Sequence, residues 1–265
     1  MMSKASFFRR IEQGLLAPVL AVCLFATQQH TSAAATTAGD RMFPILTYHH
    51  LEVVNDTSDK LRVSLAIRPD VLERQLLALR SRKYVTVFVR DIPHMLHGDI
   101  PTPMRHVALT FDDGYEDFYT NAFPLLEKYK AKATLFIIND LIGKPDYLTW
   151  PQVQEILQSG LVEIGAHTLD PPDLTKLSLD QARSQIQGSK SGLELNLGVD
   201  IETFAYPYGK YSRQVEMLVQ QAGFSAAVTT DRGFRQSSRD YFTFERIPAG
   251  AFEGQKKWRS LGEAL

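Results

Sequence analysis

Between residue 43 and about residue 250, short apolar runs rich in β-formers alternate with longer amphipathic stretches, and few folds accept that order. FPILTYHH, YVTVFV, HVALTF, ATLFII, VEIGAH, ETFAYP, SAAVTT and FERIPA read as strands. PDVLERQLLALRSRK, YEDFYTNAFPLLEKYK, TWPQVQEILQSG, LDQARSQIQGSKSGLELNLG and SRQVEMLVQQAG, which fall between them, read as helices. Pro151 falls in a first turn, Gly160 and Gly198 close helices, and Pro124 marks a kink or a break. Strands joined through helices lie parallel, because the crossover must return the chain to the same end of the sheet. Seven or so such units over residues 43–265 suggest one domain, a closed or nearly closed α/β barrel. In such barrels chemistry lies on the loops that follow the strands.

The first residues have a different character. Lys4, Arg9 and Arg10 precede an apolar run, Leu15 to Ala26, and the small-residue stretch TSAAATTAG. This is the pattern of a secretory signal peptide over residues 1–35, cleaved near Ala33 to Ala35, with 36–42 as a flexible lead-in. The apolar run is shorter than the roughly 20 residues of a bilayer span, so no stable membrane span is expected after cleavage. The expected location is periplasmic or secreted. Cys23, the one cysteine, lies in the apolar run, which leaves an exported chain that depends on its core rather than on disulfides. Loss of Lys4, Arg9, Arg10 and Glu12 moves the formal charge from -1 to about -3, and the absence of a basic excess argues against a nucleic-acid partner.

Two strand ends carry candidate chemistry. HVALTF runs into Asp112, Asp113, Gly114 and Tyr115. Adjacent carboxylates read either as a helix N-cap with acidic neighbours or as a pair gathered round a cation or shared proton. VEIGA runs into HTLDPPDL, which presents His167 where a metal ligand or an ordinary loop histidine would stand. HMLH places His94 and His97 at helical spacing, but the pattern reads more simply as a solvated face.

The longer strings resemble a known family. ALTFDDGYEDFYTNAFPLLEKYKAKATLFII resembles the first motif of the polysaccharide deacetylases, the NodB-homology or carbohydrate esterase 4 family. VEIGAHT resembles the second motif, H-[ST]-x-x-H, and FAYPYG a later one. PILTYHH resembles the N-terminal strand of exported members that act on poly-N-acetylglucosamine. The resemblance spans about residues 44 to 250. It implies a distorted (β/α)7-type barrel and a metal-dependent hydrolase that removes N-acetyl groups, with poly-β-1,6-N-acetylglucosamine (poly-GlcNAc) as the favoured substrate and polysaccharide-export machinery as a partner.

The resemblance also implies roles. Asp112 corresponds to the general base, Asp113 and His167 to metal ligands, and Tyr208 to the residue whose backbone N–H receives the oxyanion. His49 corresponds to a general acid, set against the plainer reading of a half-buried histidine bonded to backbone. The implied cofactor is a divalent metal, Zn or else Co, Ni or Mn. Two positions depart from the pattern. Pro171 stands where the second motif has its second histidine, and Asp170 is the nearest substitute ligand. Ala205 stands where other branches carry an arginine; Arg246 either takes over that task or pairs with Glu245 at the surface. Trp150, Tyr206 and Tyr208 offer sugar-stacking faces or core. The departure at Pro171 keeps a rival in view, a silent glycan-binding or export protein on the same fold. An O-acetyl polysaccharide esterase is the enzymatic rival.

Overall fold

The computed structural model describes residues 40–99 and 105–252. The signal peptide expected over 1–35 and the segment IPTPM lie outside the described residues. The strands, in chain order, are β1 (Arg41–Met42), β2 (Ile45–Tyr48), β3 (Tyr84–Val87), β4 (Arg105–Phe111), β5 (Ala133–Ile137), β6 (Val162–Ala166), β7 (Thr203–Ala205), β8 (Ala226–Arg232), β9 (Arg235–Gln236) and β10 (Phe244–Pro248). The helices are α1 (Lys60–Leu65), α2 (Pro69–Ser81), α3 (Ile92–His97), α4 (Phe123–Tyr129), α5 (Trp150–Gln158), α6 (Leu179–Leu197) and α7 (Arg213–Gln221).

Strands β2, β10, β8, β7, β6, β5 and β4 pair in that order, and β2 pairs with β4 from Ile45↔Ala108 to Tyr48↔Phe111. The parallel sheet therefore closes on itself with seven strands. β3 pairs with the first half of β4, Tyr84↔Arg105 to Val87↔Ala108, and stands outside the ring. Closure explains the composition of the strands. β5, β6 and β7 are buried at every residue because the barrel interior covers one face and the helices the other. Among the described residues no helix is long and apolar enough to cross a membrane.

The expected elements are present, with three differences. The last residues of the expected lead-in form β1, which pairs antiparallel with β9. The segment containing Pro124 is two pieces, a π-turn over Phe118–Ala122 followed by α4. Pro124 has no N–H to return to the preceding turn, so the α-ladder cannot run through it. Helix α1 carried no periodic signal because it buries none of its residues; it stands over the barrel mouth and bonds outward.

The barrel also buries a carboxyl near the N-terminal end of β6, away from the mouth. Glu163, 2% exposed, accepts hydrogen bonds from Thr134 Oγ1 (2.8 Å) and Thr203 Oγ1 (2.9 Å) on the flanking strands. Burial pushes its pKa up to about 7, against the weaker opposing pull of the Thr134 bond and the Arg90 charge. A folded-state pKa above the unfolded one favours the protonated folded form. Its contribution is full below about pH 4.5 and is lost as pH rises through about 7, roughly 3 kcal/mol in all. Glu163→Gln, which mimics the neutral form, is expected to remove that slope. Thermal melts of both proteins at about pH 5 and about pH 8 check this; equal slopes would refute it.

Candidate active site

β4 delivers Asp112 to the barrel mouth, where its backbone N–H donates to the Tyr48 carbonyl (3.0 Å). Its carboxylate, 3% exposed, takes both arms of Arg246: Nη1 to Oδ1 at 2.8 Å and Nη2 to Oδ2 at 2.7 Å. Arg246, 1% exposed on β10, is itself held by donation from Nε to the Thr229 carbonyl (2.7 Å) and from Nη1 to Thr110 Oγ1 (3.1 Å). It faces the barrel interior, not Glu245, so the arginine missing at Ala205 is supplied across the ring. Burial alone would raise the Asp112 pKa; the Arg246 charge and hydrogen bonds override it and hold the carboxyl at about 2.

The next residue turns the chain. Asp113 has φ of 76° and Gly114 of 82°. Thr168 (φ 70°) and Tyr208 (φ 58°) are also left-handed, so backbone strain gathers at these loops. Gly209 is needed here: at φ 67° any added Cβ would stand 2.0 Å from Thr230 Oγ1. The Thr168 hydroxyl lies within hydrogen-bond reach of the carbonyls of His167 and Asp170 and so orients the loop.

His167 follows β6, and its ring Nδ1 is 2.7 Å from the Ala205 carbonyl. A carbonyl only accepts, so Nδ1 carries a proton and Nε2 faces Asp113 Oδ1, 3.4 Å away. An imidazole lone pair and a carboxylate repel unless a cation or proton joins them. Burial lowers the His167 pKa, but the Asp113 hydrogen bond and charge override it, and the net shift is upward. Burial likewise raises Asp113, and the His167 bond more than reverses it. An imidazole steadied through its far nitrogen by a backbone carbonyl is how metal-ligating histidines are held. Asp113 and His167 therefore fit a divalent metal as two protein donors.

The expected third donor is not brought in. Asp170 is exposed, its N–H bonds Gln185 (3.2 Å), and it does not line the cavity. Pro171 lines it instead, and its carbonyl accepts from the Tyr208 hydroxyl (3.1 Å). The cavity, about 450 Å³, is bounded by His49, Asp112, Asp113, His167, Tyr115 and Tyr147, with Tyr206 and Tyr208 opposite. His49 Nε2 is 3.8 Å from Asp112 Oδ2, and burial lowers its pKa against the pull of Asp112. Tyr208, at φ 58°, stands in the 3-10 turn Pro207–Gly209 at the edge of the cavity. Tyr206 is a core residue at 1% exposure, and Trp150 packs against the core away from the cavity. His94 and His97 pair with Asp99 in solvent.

Sequence reading missed a neighbouring group. Among the described residues, one set of three donor side chains lies within 4.8 Å and could hold a metal ion: His50, Glu52 and Asp117. Its members are already bonded. His50 Nδ1 is 2.6 Å from Asp117 Oδ2, and Glu52 binds Arg62 at 2.5 and 3.0 Å. His50 stacks on Tyr115, with ring centroids 3.6 Å apart, so the group braces the loop that carries Asp113. The second histidine of YHH and the last acid of DDGYED were visible, but 67 residues separate the pair and nothing local joins them.

The comparisons agree with this geometry. The family model described as polysaccharide deacetylase matches residues 99–227. The Bacillus subtilis (strain 168) protein YxkH, named for the polysaccharide deacetylases, is 30% identical over 220 residues, covering 83% of this chain and 76% of its own. The Streptococcus pyogenes deacetylase PplD, solved with acetate, superposes with a TM-score of 0.73 at 30% identity, over 80% of this chain and 93% of that one. The poly-beta-1,6-N-acetyl-D-glucosamine N-deacetylase of Escherichia coli (strain K12) is 30% identical over 141 residues, 48% of this chain. The match spans only 20% of that longer enzyme. With a seven-stranded parallel barrel and paired aspartates at its mouth, this chain belongs to the polysaccharide deacetylase family of hydrolases.

Proposed function

We propose that the chain is an exported, metal-dependent N-deacetylase acting on a GlcNAc-containing polysaccharide, with β-1,6-linked poly-GlcNAc first among substrates. The observation that carries this is the ionised Asp112, clamped by Arg246, beside the converging donors of Asp113 and His167 in one cavity. Similarity to the E. coli enzyme across 48% of the chain supports the choice of polymer. A divalent ion held by Asp113 and His167, with Zn, Co, Ni and Mn as candidates, supplies Lewis acidity that polarises the acetyl carbonyl and acidifies water.

The chain's own groups do the rest. Asp112 is a carboxylate at any working pH and takes the proton of the attacking water at the second lone pair of an oxygen that Arg246 also holds. The Tyr208 N–H meets the oxygen that gains charge. His49, whose Nε2 is 3.8 Å from Asp112 Oδ2, receives that proton from Asp112 and passes it to the amine as the C–N bond breaks, which releases acetate and leaves a glucosamine residue in the polymer. A site lowered in basicity by burial gives its proton up readily once charged. The export reading rests on the N-terminal pattern, and periplasmic or secreted location follows from it.

Pro171 in the cavity wall favours a second reading, a glycan-binding protein that has lost catalysis. One experiment separates them: acetate release from a poly-GlcNAc oligomer after metal stripping and re-addition of each metal. Wild type is expected to regain activity with metal, His167→Ala to lose it by about a hundredfold or more, and Pro171→His to need less metal. Activity in Pro171→His alone would mark the wild type as silenced.

A further inference from the structure

A second cavity, about 620 Å³, adjoins the first and shares His49, Leu65 and Thr230 with it. Both are of a size that takes small ligands, and together they form one groove across the barrel mouth. The added walls come from α1 and its exit (Val63 to Ile67) and from the ends of β8 and β10. Among the described residues no carboxylate lines this second cavity. Its cations are Arg246, neutralised by Asp112, and Arg232, which is exposed and for which no described residue is an ion-pair partner. Arg232 lies two residues beyond Thr230 and so on the same face of β8. Asp231 points the other way, to Tyr211. Glu245 stands against Gly233 and does not line the groove.

On the deacetylase reading, the groove holds a glycan with one residue at Asp112 and its neighbour beside Arg232. Every turnover converts a neutral N-acetyl group into an amine that is cationic near neutral pH. We propose that the second cavity is the adjacent sugar subsite and that Arg232 excludes from it a residue already deacetylated. Two cations with no described carboxylate between them repel, so a chain that has just reacted binds poorly one residue further on. The consequence is specificity for pattern: acetyl groups are removed at spaced positions rather than in contiguous blocks.

The test uses β-1,6-linked GlcNAc tetramers, fully acetylated or carrying one glucosamine at a defined position. The readout is the ratio of kcat/KM for each glucosamine isomer to that for the fully acetylated tetramer. Wild type is expected to disfavour the isomer that places the amine beside Arg232 by about tenfold. The ratio should approach one in Arg232→Gln and exceed it in Arg232→Glu, and sequencing of the product should then show adjacent deacetylated residues. Equal use of all isomers by wild type, or the same ratio in Arg232→Glu, would overturn the proposal. Absence of acetate from the fully acetylated tetramer would strike the deacetylase reading instead. Calorimetric binding of the same tetramers then decides the role of Arg232: a wild-type bias against the amine that Arg232→Glu reverses supports it, and none refutes it.

Discussion

Arg246→Met is expected to cost about 3–5 kcal/mol of stability, because it leaves the Asp112 carboxylate buried without its partner. For a domain of this size that is a fall in Tm on the order of 10 °C. The pH dependence identifies the cause. The Asp112 pKa is depressed to about 2 in the folded wild type from an ordinary 3.8. Its favourable contribution is therefore present above about pH 4 and lost as pH falls through about 2. In Arg246→Met burial is opposed only by the weaker pull of His49 and His167, the Asp112 pKa rises, and the variant should gain stability on mild acidification where the wild type does not. Melts at about pH 5 and about pH 7 decide it; a variant within about 1 kcal/mol of wild type at both would show that the clamp is structurally idle.

Asp112→Asn should lower acetate release by about a hundredfold to ten-thousandfold, the range ascribed to a positioned general base. Asparagine keeps the shape and can still accept from Arg246, but it offers no basic oxygen to a water proton. The loss must be separated from destabilisation, since the buried guanidinium also loses its counter-charge. The double variant Asp112→Asn with Arg246→Met removes both members of the pair. It should be more stable than the sum of the single effects predicts while remaining inactive. If Asp112→Asn retains activity within about threefold of wild type under saturating metal, the base is another group.

The site was legible where family motifs are local. Asp112 and His167 follow their strands directly, Asp113 and Tyr208 stand two and three residues past theirs, and the barrel brings those strand ends to one mouth. The Arg246 pairing was one of two open readings, because the choice between Asp112 and Glu245 depends on which face of β10 points inward across a ring closed by strands far apart in sequence. Asp170 stays out of the cavity for a related reason. Thr168 and Gln185 bind its backbone and turn the loop so that Pro171, one residue on, lines the cavity. The His50–Asp117 brace and the α1 wall carried no local signal at all, since one is a contact across 67 residues and the other a helix without a buried face.

Sequence by itself determined the order and type of the main elements, because strand and helix periodicities are short-range consequences of burying one face or both. It also determined which residue types stand at the strand ends. Tertiary structure alone decided which of them meet. Closure of β2 onto β4 sets the inward faces, places Arg246 on Asp112, joins two cavities through His49 and leaves Arg232 lining the groove with no counter-charge among the described residues. Those are distances between residues far apart in the chain, and no periodicity encodes them.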